Sequence, residues 1–198
     1  MEIRLLSPED APLYRPLRLR MLGEHPEAFS SSAEEESLLP MDAVRQRLSS
    51  HSRFYWGAFE HGRLLGTVGL DCEQREKNRH KATVVGMYVA REHSGHGLGR
   101  ALLSTLLSEA RERGLEVLVL TVTEGNHAAI RLYENLGFCT FGIEPRAIKV
   151  QGVAYAKVHM VLELQPSTPS QSSSTPLPGS SGEPGWTIGS LSLQSEVL

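Results

Sequence analysis

The sequence predicts an α/β (α+β) fold: a mixed, mostly antiparallel sheet with one parallel pair at its centre, and helices. Three observations carry that expectation. Phe54–Phe59 and Arg63–Leu70 are aromatic and branched runs separated by Glu60, His61 and Gly62, and Gly62 supplies the positive φ that a tight hairpin needs. Lys81–Val89 then returns as a third strand, which makes an antiparallel meander. Beyond it come a loop holding Gly95, Gly97 and Gly99, an amphipathic segment, and the apolar run Leu115–Val122. Strand, helix, strand implies a right-handed crossover between parallel neighbours.

The remaining elements follow in order. Glu2–Leu6 reads as a short strand that ends at Ser7, an N-cap residue with Pro8 at the first helical position and acids in the first turn. The helix that starts there runs to about Leu22, distorted or broken by Pro12 and Pro16. Residues 23–39 read as irregular, and Met41–Leu48 as a short helix. From Leu98, apolar residues at 98, 102, 103, 106, 107 and 110 share one helical face, and Gly114 ends that helix. Leu115–Val122 is apolar at odd and even positions, as a strand covered on both faces should be. Asn126–Leu136 is a second helix closed by Gly137, and Phe138–Gly142 and Val153–Glu163 are two further strands.

Domain organisation follows composition. Residues 1–164 form one domain, long enough to bury a core. At Gln165 the chain turns to Ser, Pro, Gly and Thr, so 165–198 reads as a disordered Ser/Pro/Gly-rich tail. A net charge of −3 gives no footprint for nucleic acid. Two cysteines far apart fit a reducing compartment, and no apolar run has the length of a membrane span, so the expected location is cytoplasmic. The eight histidines form no metal-ligand spacing, so no metal is expected.

The glycine loop is the chemical centre. Strand, glycine turn and helix start aim backbone N–H groups and the positive end of a helix dipole at one point, which makes an anion site. A P-loop would need a Lys after the glycines, and none follows. A dinucleotide fingerprint fits poorly, because Arg100 holds the third glycine position and Glu116 starts its strand instead of ending it. Glycines that merely turn the chain are the bland reading.

The choice is made one strand downstream, where Asn126–Phe138 reads NHAAIRLYENLGF. Together with Val89–Leu103 it resembles motifs B and A of the GNAT superfamily of N-acetyltransferases. The resemblance spans about Glu2 to Leu164 and is strongest over Lys81–Phe141. It implies a GNAT-like sheet with helices on both faces, its central parallel pair splayed to hold acetyl-CoA, and an acyltransferase that moves an acetyl group to a primary amine by direct attack. The CoA-binding residues it implies are Met87, Tyr88, Val89, Ser94, Gly95, His96, Gly97, Leu98, Gly99, Arg100 and Asn126. Pyrophosphate would lie on the N–H groups of Gly95–Arg100, and pantetheine would pair with Met87 and Val89 in the manner of an added strand. Ser94 departs from the family, which usually has Arg or Gln there; Arg100, Arg91 or the backbone would compensate.

Three chemical demands remain: a neutral amine, donors for the oxyanion, and a proton for the departing thiolate. Tyr133 occupies the family's acid position, and a phenol of pKa about 10 holds its proton at neutral pH. A backbone N–H near Val89 is the expected oxyanion donor, and Asn126 has a second role as helix cap. The strand Lys81–Val89 carries no acid, so Glu73, Glu76, His80 and Tyr88 are the candidates for the base. Tyr14, Arg15, Arg18, Phe29 and Glu34–Glu36 are candidates for acceptor recognition: the acids for a cationic amine, Arg15, Arg18 and Arg20 for a carboxylated one. The acceptor is thus a small amine or amino-acid derivative, or a protein amine. The family often dimerises, and the last strands are the expected place for a homodimer contact. The competing function is a non-catalytic acyl-CoA-binding regulatory module.

Overall fold

In the computed structural model, which describes residues 1–164, seven strands form one sheet in the order β1-β2-β3-β4-β5-β7-β6. These are β1 Glu2–Leu5, β2 Arg53–Glu60, β3 Arg63–Cys72, β4 Lys81–Val89, β5 Val117–Thr123, β6 Cys139–Val150 and β7 Val153–Glu163. The helices are α1 Ala11–Glu24, α2 Ala33–Leu38, α3 Met41–Leu48, α4 Leu98–Glu112 and α5 His127–Glu134. Every neighbouring pair is antiparallel except β4 and β5. The tail expected from Gln165 onward lies outside the described residues. Among those described, no helix is long and apolar enough to cross a membrane.

Strand periodicity divides the core into two layers. Trp56 and Ala58 of β2 join Val68 and Leu70 of β3 in a cluster with Leu102, Leu103, Leu106 and Ala110 of α4. Their neighbours Tyr55 and Phe59 turn to the other face and meet Tyr14 of α1 with Val44 and Leu48 of α3. Side chains alternate across a strand, so each strand serves both layers.

Three local expectations are corrected. The helix from Pro8 is unbroken after a 3-10 turn at Pro8–Asp10, because Pro12 lies in the first turn, where its N–H has no helical partner to lose. Pro16 alone removes a helical hydrogen bond. Within the supposedly irregular 23–39 stretch, Ala33–Leu38 is helical: the Ser32 hydroxyl accepts from the Glu35 N–H, and the Glu35 carboxylate accepts from the Ser32 N–H. Finally, β6 runs to Val150 instead of ending at Gly142. It pairs with β7 through a register shift between Glu144 and Ile148, where Pro145 has no N–H to give and Arg146 sits at φ 56°.

The central strands position everything that follows. β4 and β5 pair at only three positions, Lys81 with Val117, Ala82 with Leu118 and Thr83 with Val119. Beyond Thr83 they part. On its other side β4 stays paired to β3, but from Gly69–Val85 to Thr67–Tyr88 it advances three residues against two. The extra residue is a β-bulge, and Gly86 takes it at φ 58°. One added residue inverts the alternation. Ala82 and Val84 face the α4 layer before the bulge; after it Met87 and Val89 do, while Tyr88 turns toward α1.

Candidate active site

The gap between β4 and β5 opens into two adjoining hollows. The first, of about 550 Å³, runs along the second half of β4 to the start of α4. Met87, Tyr88, Val89, Ser94, Gly95, Gly97, Leu98, Gly99, Arg100 and Asn126 line it. His96 does not. It lies on the opposite side of the loop in a separate hollow with Met1, Glu60 and Glu92, because Gly95 and Gly97, at φ 81° and 79°, turn the chain on either side of it.

This loop is built to leave its amides free. Gly97 is the N-cap of α4 and offers no side chain to the first-turn N–H groups. No atom approaches within 4 Å of where a Cβ would stand at Gly95 or Gly97, so the ground in front of these backbones is open. Gly99 is different: a Cβ there would lie 3.1 Å from the Met87 methyl and 3.3 Å from Leu132, so a bare backbone lets α4 close on β4. The Ser94 hydroxyl turns back to the Ala90 carbonyl at 3.4 Å. Of the two arginines expected to compensate for it, Arg100 lines the hollow, whereas Arg91 is not on its wall.

A chain of polar contacts holds the loop from behind. Tyr88 donates to Glu24 at 2.7 Å, Glu24 accepts from Arg20 at 2.7 Å, and Arg20 also donates to both oxygens of Glu92. Burial, then the bond to Glu24, pushes the Tyr88 phenol well above its ordinary pKa. A phenol so held is a poor proton acceptor, so the structure does not favour Tyr88 as a base. Glu73 and Glu76 are exposed, and neither they nor His80 reach either hollow.

The second hollow, of about 440 Å³, lies on the other side of the splay. Its walls come from α1 (Arg18), the segment 28–31, β2 (Arg53, Tyr55), the end of β3 (Asp71), β4 from Thr83 to Met87, and the end of β5. Tyr133, Asn126, Ala129, Met87, Ala28 and Phe29 line both hollows. Tyr133 is 6% exposed, packs edge-on against Phe138 at 5.7 Å, and makes no hydrogen bond through its hydroxyl among the described residues. Burial raises its pKa. Asn126 caps α5, its side-chain oxygen accepting from the Ala129 N–H at 3.1 Å.

Of the acceptor candidates, Arg18 and Phe29 reach this hollow. Tyr14 is fully buried in the core, Arg15 binds the Ser37 carbonyl at the surface, and Arg20 is committed to Glu24 and Glu92. Glu36 is buried beneath Arg47 and Arg18, while Glu34 and Glu35 are exposed. Arg53, Asp71 and Lys157 were not among the sequence candidates. Asp71 is the carboxylate on the wall, paired with Arg53. Lys157 of β7 donates to the Glu27 and Ala28 carbonyls at 2.9 Å and to the Thr123 hydroxyl at 3.0 Å, which fastens the segment that walls both hollows.

Residues 19–138 match the family model described as acetyltransferase (GNAT) family. Among curated proteins, N-acetyltransferase 8 of Rattus norvegicus is 28% identical over 127 residues, covering 64% of this chain and 57% of the relative. The chain spans about half the length of the curated relatives it matches. A GNAT-family acetyltransferase of Streptococcus pneumoniae superposes with a TM-score of 0.74 at 25% identity, over 83% of this chain and 99% of that one. A putative acetyltransferase of Salmonella typhimurium, solved with its cofactor acetyl-CoA, superposes with a TM-score of 0.70 at 24% identity, over 87% and 98%. The splayed pair, the uncapped glycine turn and the tyrosine of α5 thus all lie within the matched residues, and the chain belongs to the GNAT family of acetyltransferases.

Proposed function

We propose that the protein is an acetyl-CoA-dependent N-acetyltransferase that acetylates a primary amine by direct attack, with Tyr133 as general acid. The observation that carries this is the place of Tyr133, on the wall shared by the two hollows. A donor in one and an acceptor in the other would meet beside its hydroxyl.

The residues present fit acetyl-CoA. The uncapped first turn of α4 offers N–H groups to a pyrophosphate, with Arg100 beside it. Beyond Thr83 the β5-facing edge of β4 has no strand partner, so Met87 and Val89 are available to the amides of a pantetheine arm. When bound, acetyl-CoA supplies a thioester carbonyl and a thiol leaving group: a C–N bond forms to the acceptor amine and the C–S bond breaks. Tyr133 holds its proton on the phenolic oxygen throughout the neutral range, because burial disfavours the phenolate, and gives it to the departing sulfur. The amine's own proton leaves through water and restores the phenol. A backbone N–H near Val89 serves the oxyanion.

The amine must arrive neutral. Asp71, the one carboxylate lining the acceptor wall, is taken up by Arg53, so no wall acid is left to hold an ammonium ion there. Desolvation in the pocket, with no acid to pair with, favours the neutral amine, in place of a base on β4.

Release of free thiol from acetyl-CoA in the presence of amines, amino acids and peptides tests the reading. Acceptor-dependent release is expected. Acetyl-CoA binding without release from any acceptor would support a regulatory module instead.

A further inference from the structure

The charge around the acceptor hollow does not balance, and the imbalance sits on Arg18. Three charged side chains line the wall: Arg18, Arg53 and Asp71. Arg53 and Asp71 satisfy one another. Arg18, its side chain 13% exposed, has among the described residues only a shared carboxylate, Glu36. Its Nε is buried without a hydrogen bond and lies 3.6 Å from Glu36, whose other oxygen is taken by Arg47 at 2.7 Å. One buried carboxylate is therefore shared by two guanidinium groups. Among the described residues Arg18 makes a single hydrogen bond, 3.3 Å from Nη2 to the Ser31 hydroxyl, and lies over the Phe29 ring at 5.8 Å. Below the same hollow Lys157 is buried with three uncharged oxygens as partners. A buried cation with donors left over is costly unless an anion completes it.

We propose that the acceptor brings that anion: an amine bearing a carboxylate, as in an α-amino acid, whose carboxylate docks on Arg18 while its amine faces Tyr133. The surplus is one charge on the wall, which suits a monoanionic carboxylate. Guanidinium and carboxylate match as paired, charge-assisted hydrogen bonds. The apolar sides of Phe29, Val85 and Met87 take the acceptor's side chain. This rests on the acetyltransferase reading and narrows it. The reaction balances as amine plus thioester giving amide plus thiol, with the carboxylate unchanged.

The test compares matched acceptors: L-leucine, L-leucinamide and isoamylamine, followed by thiol release at saturating acetyl-CoA. The amide's amine is less basic than that of the acid, so intrinsic reactivity favours the amide. The proposal expects kcat/KM for the acid to exceed that for the amide and the amine by about tenfold or more, the scale of one charge-assisted pair. Arg18→Gln is expected to remove most of that ratio and Arg18→Lys to restore part of it. Equal rates for acid and amide in the wild type would overturn the proposal, as would a ratio that survives Arg18→Gln, or release only with a peptide or protein amine. If Arg18→Gln does not fold, the wild-type ratio and Arg18→Lys decide. Absence of release from every amine, with acetyl-CoA bound, would sink the acetyltransferase reading itself, a different outcome from release without a carboxylate preference.

Discussion

Arg20 grips Glu92 across a gap of 72 residues, each terminal nitrogen 2.7 Å from one carboxylate oxygen, and so ties the last turns of α1 to the chain just before the glycine loop. Both side chains are exposed, and exposed ion pairs contribute little to global stability. The pair's effect should be local. Arg20→Ala is expected to leave the melting temperature nearly unchanged and to raise the KM for acetyl-CoA several-fold, with a smaller change in kcat. Steady-state kinetics at saturating acceptor check this; an equal fall in kcat with KM unaltered would show that the loop is held by other means.

Tyr133→Phe deletes one oxygen and keeps the ring against Phe138. Turnover should fall by about 10²- to 10⁴-fold, the usual range for a general acid, while the dissociation constant for acetyl-CoA moves little. Because burial raises the pKa of this phenol, the wild-type rate should show no loss from it on the alkaline side of neutrality. An acid limb, from protonation of the acceptor amine, should be the main pH dependence. Unchanged turnover in the variant would remove Tyr133 from the chemistry.

Gly97→Ala puts a Cβ at a φ of 79° where no protein atom lies within 4 Å. The conformational cost is about 1 kcal/mol, which urea denaturation would read. Affinity for acetyl-CoA should fall by more than that cost implies, roughly tenfold or more, since the new methyl stands where an anion approaches the first-turn amides. A loss of stability with affinity intact would place the pyrophosphate elsewhere.

Asp10 offers a pH test of the scaffold. Its side chain is 8% exposed and accepts two 2.7 Å bonds from Arg4 and one from the Ser7 N–H. The Arg4 bonds above all, with the Ser7 amide, hold its carboxyl at about 2. A depressed folded pKa means the contribution is complete above the unfolded carboxylate pKa, near 4, and is lost as pH falls toward 2. Since Arg4 is partly solvated, the contribution is about 1–2 kcal/mol. Asp10→Asn should therefore cost about that much at pH 7 and almost nothing near pH 2, as read from urea melts at both.

What could be read in advance was whatever a contiguous stretch could encode. The glycine loop and the α5 motif each occupy one run of chain, and the candidate residues they supply, His96 excepted, line one cleft. Some local signals went unused: Ser32 and Glu35 stand at capping-box spacing, and Gly86 is an isolated glycine in an apolar strand, the usual mark of a bulge. The acceptor hollow is another matter. Arg18, Arg53, Asp71 and Thr123 come from four distant elements, and each is ordinary where it stands in the sequence. Asp71 could not be told from the solvated acids after it, since only its register opposite Thr83 puts it on the wall. Lys157 gave no sign of burial, because the carbonyls that receive it belong to a segment 129 and 130 residues away.

The three rungs between β4 and β5 have a consequence for cooperativity. Strands β1 to β4 and strands β5 to β7 are two half-sheets, paired along their common border from Lys81 to Thr83 with Val117 to Val119, just after the His80 carbonyl that accepts from Glu116 and Val117. A linear ligand with its own amides, laid in the open part of that border, contributes rungs that the chain does not make for itself. Such a ligand joins two units that could otherwise breathe separately, and its effect should appear as slowed amide exchange on both strands at once, well away from any atom it touches.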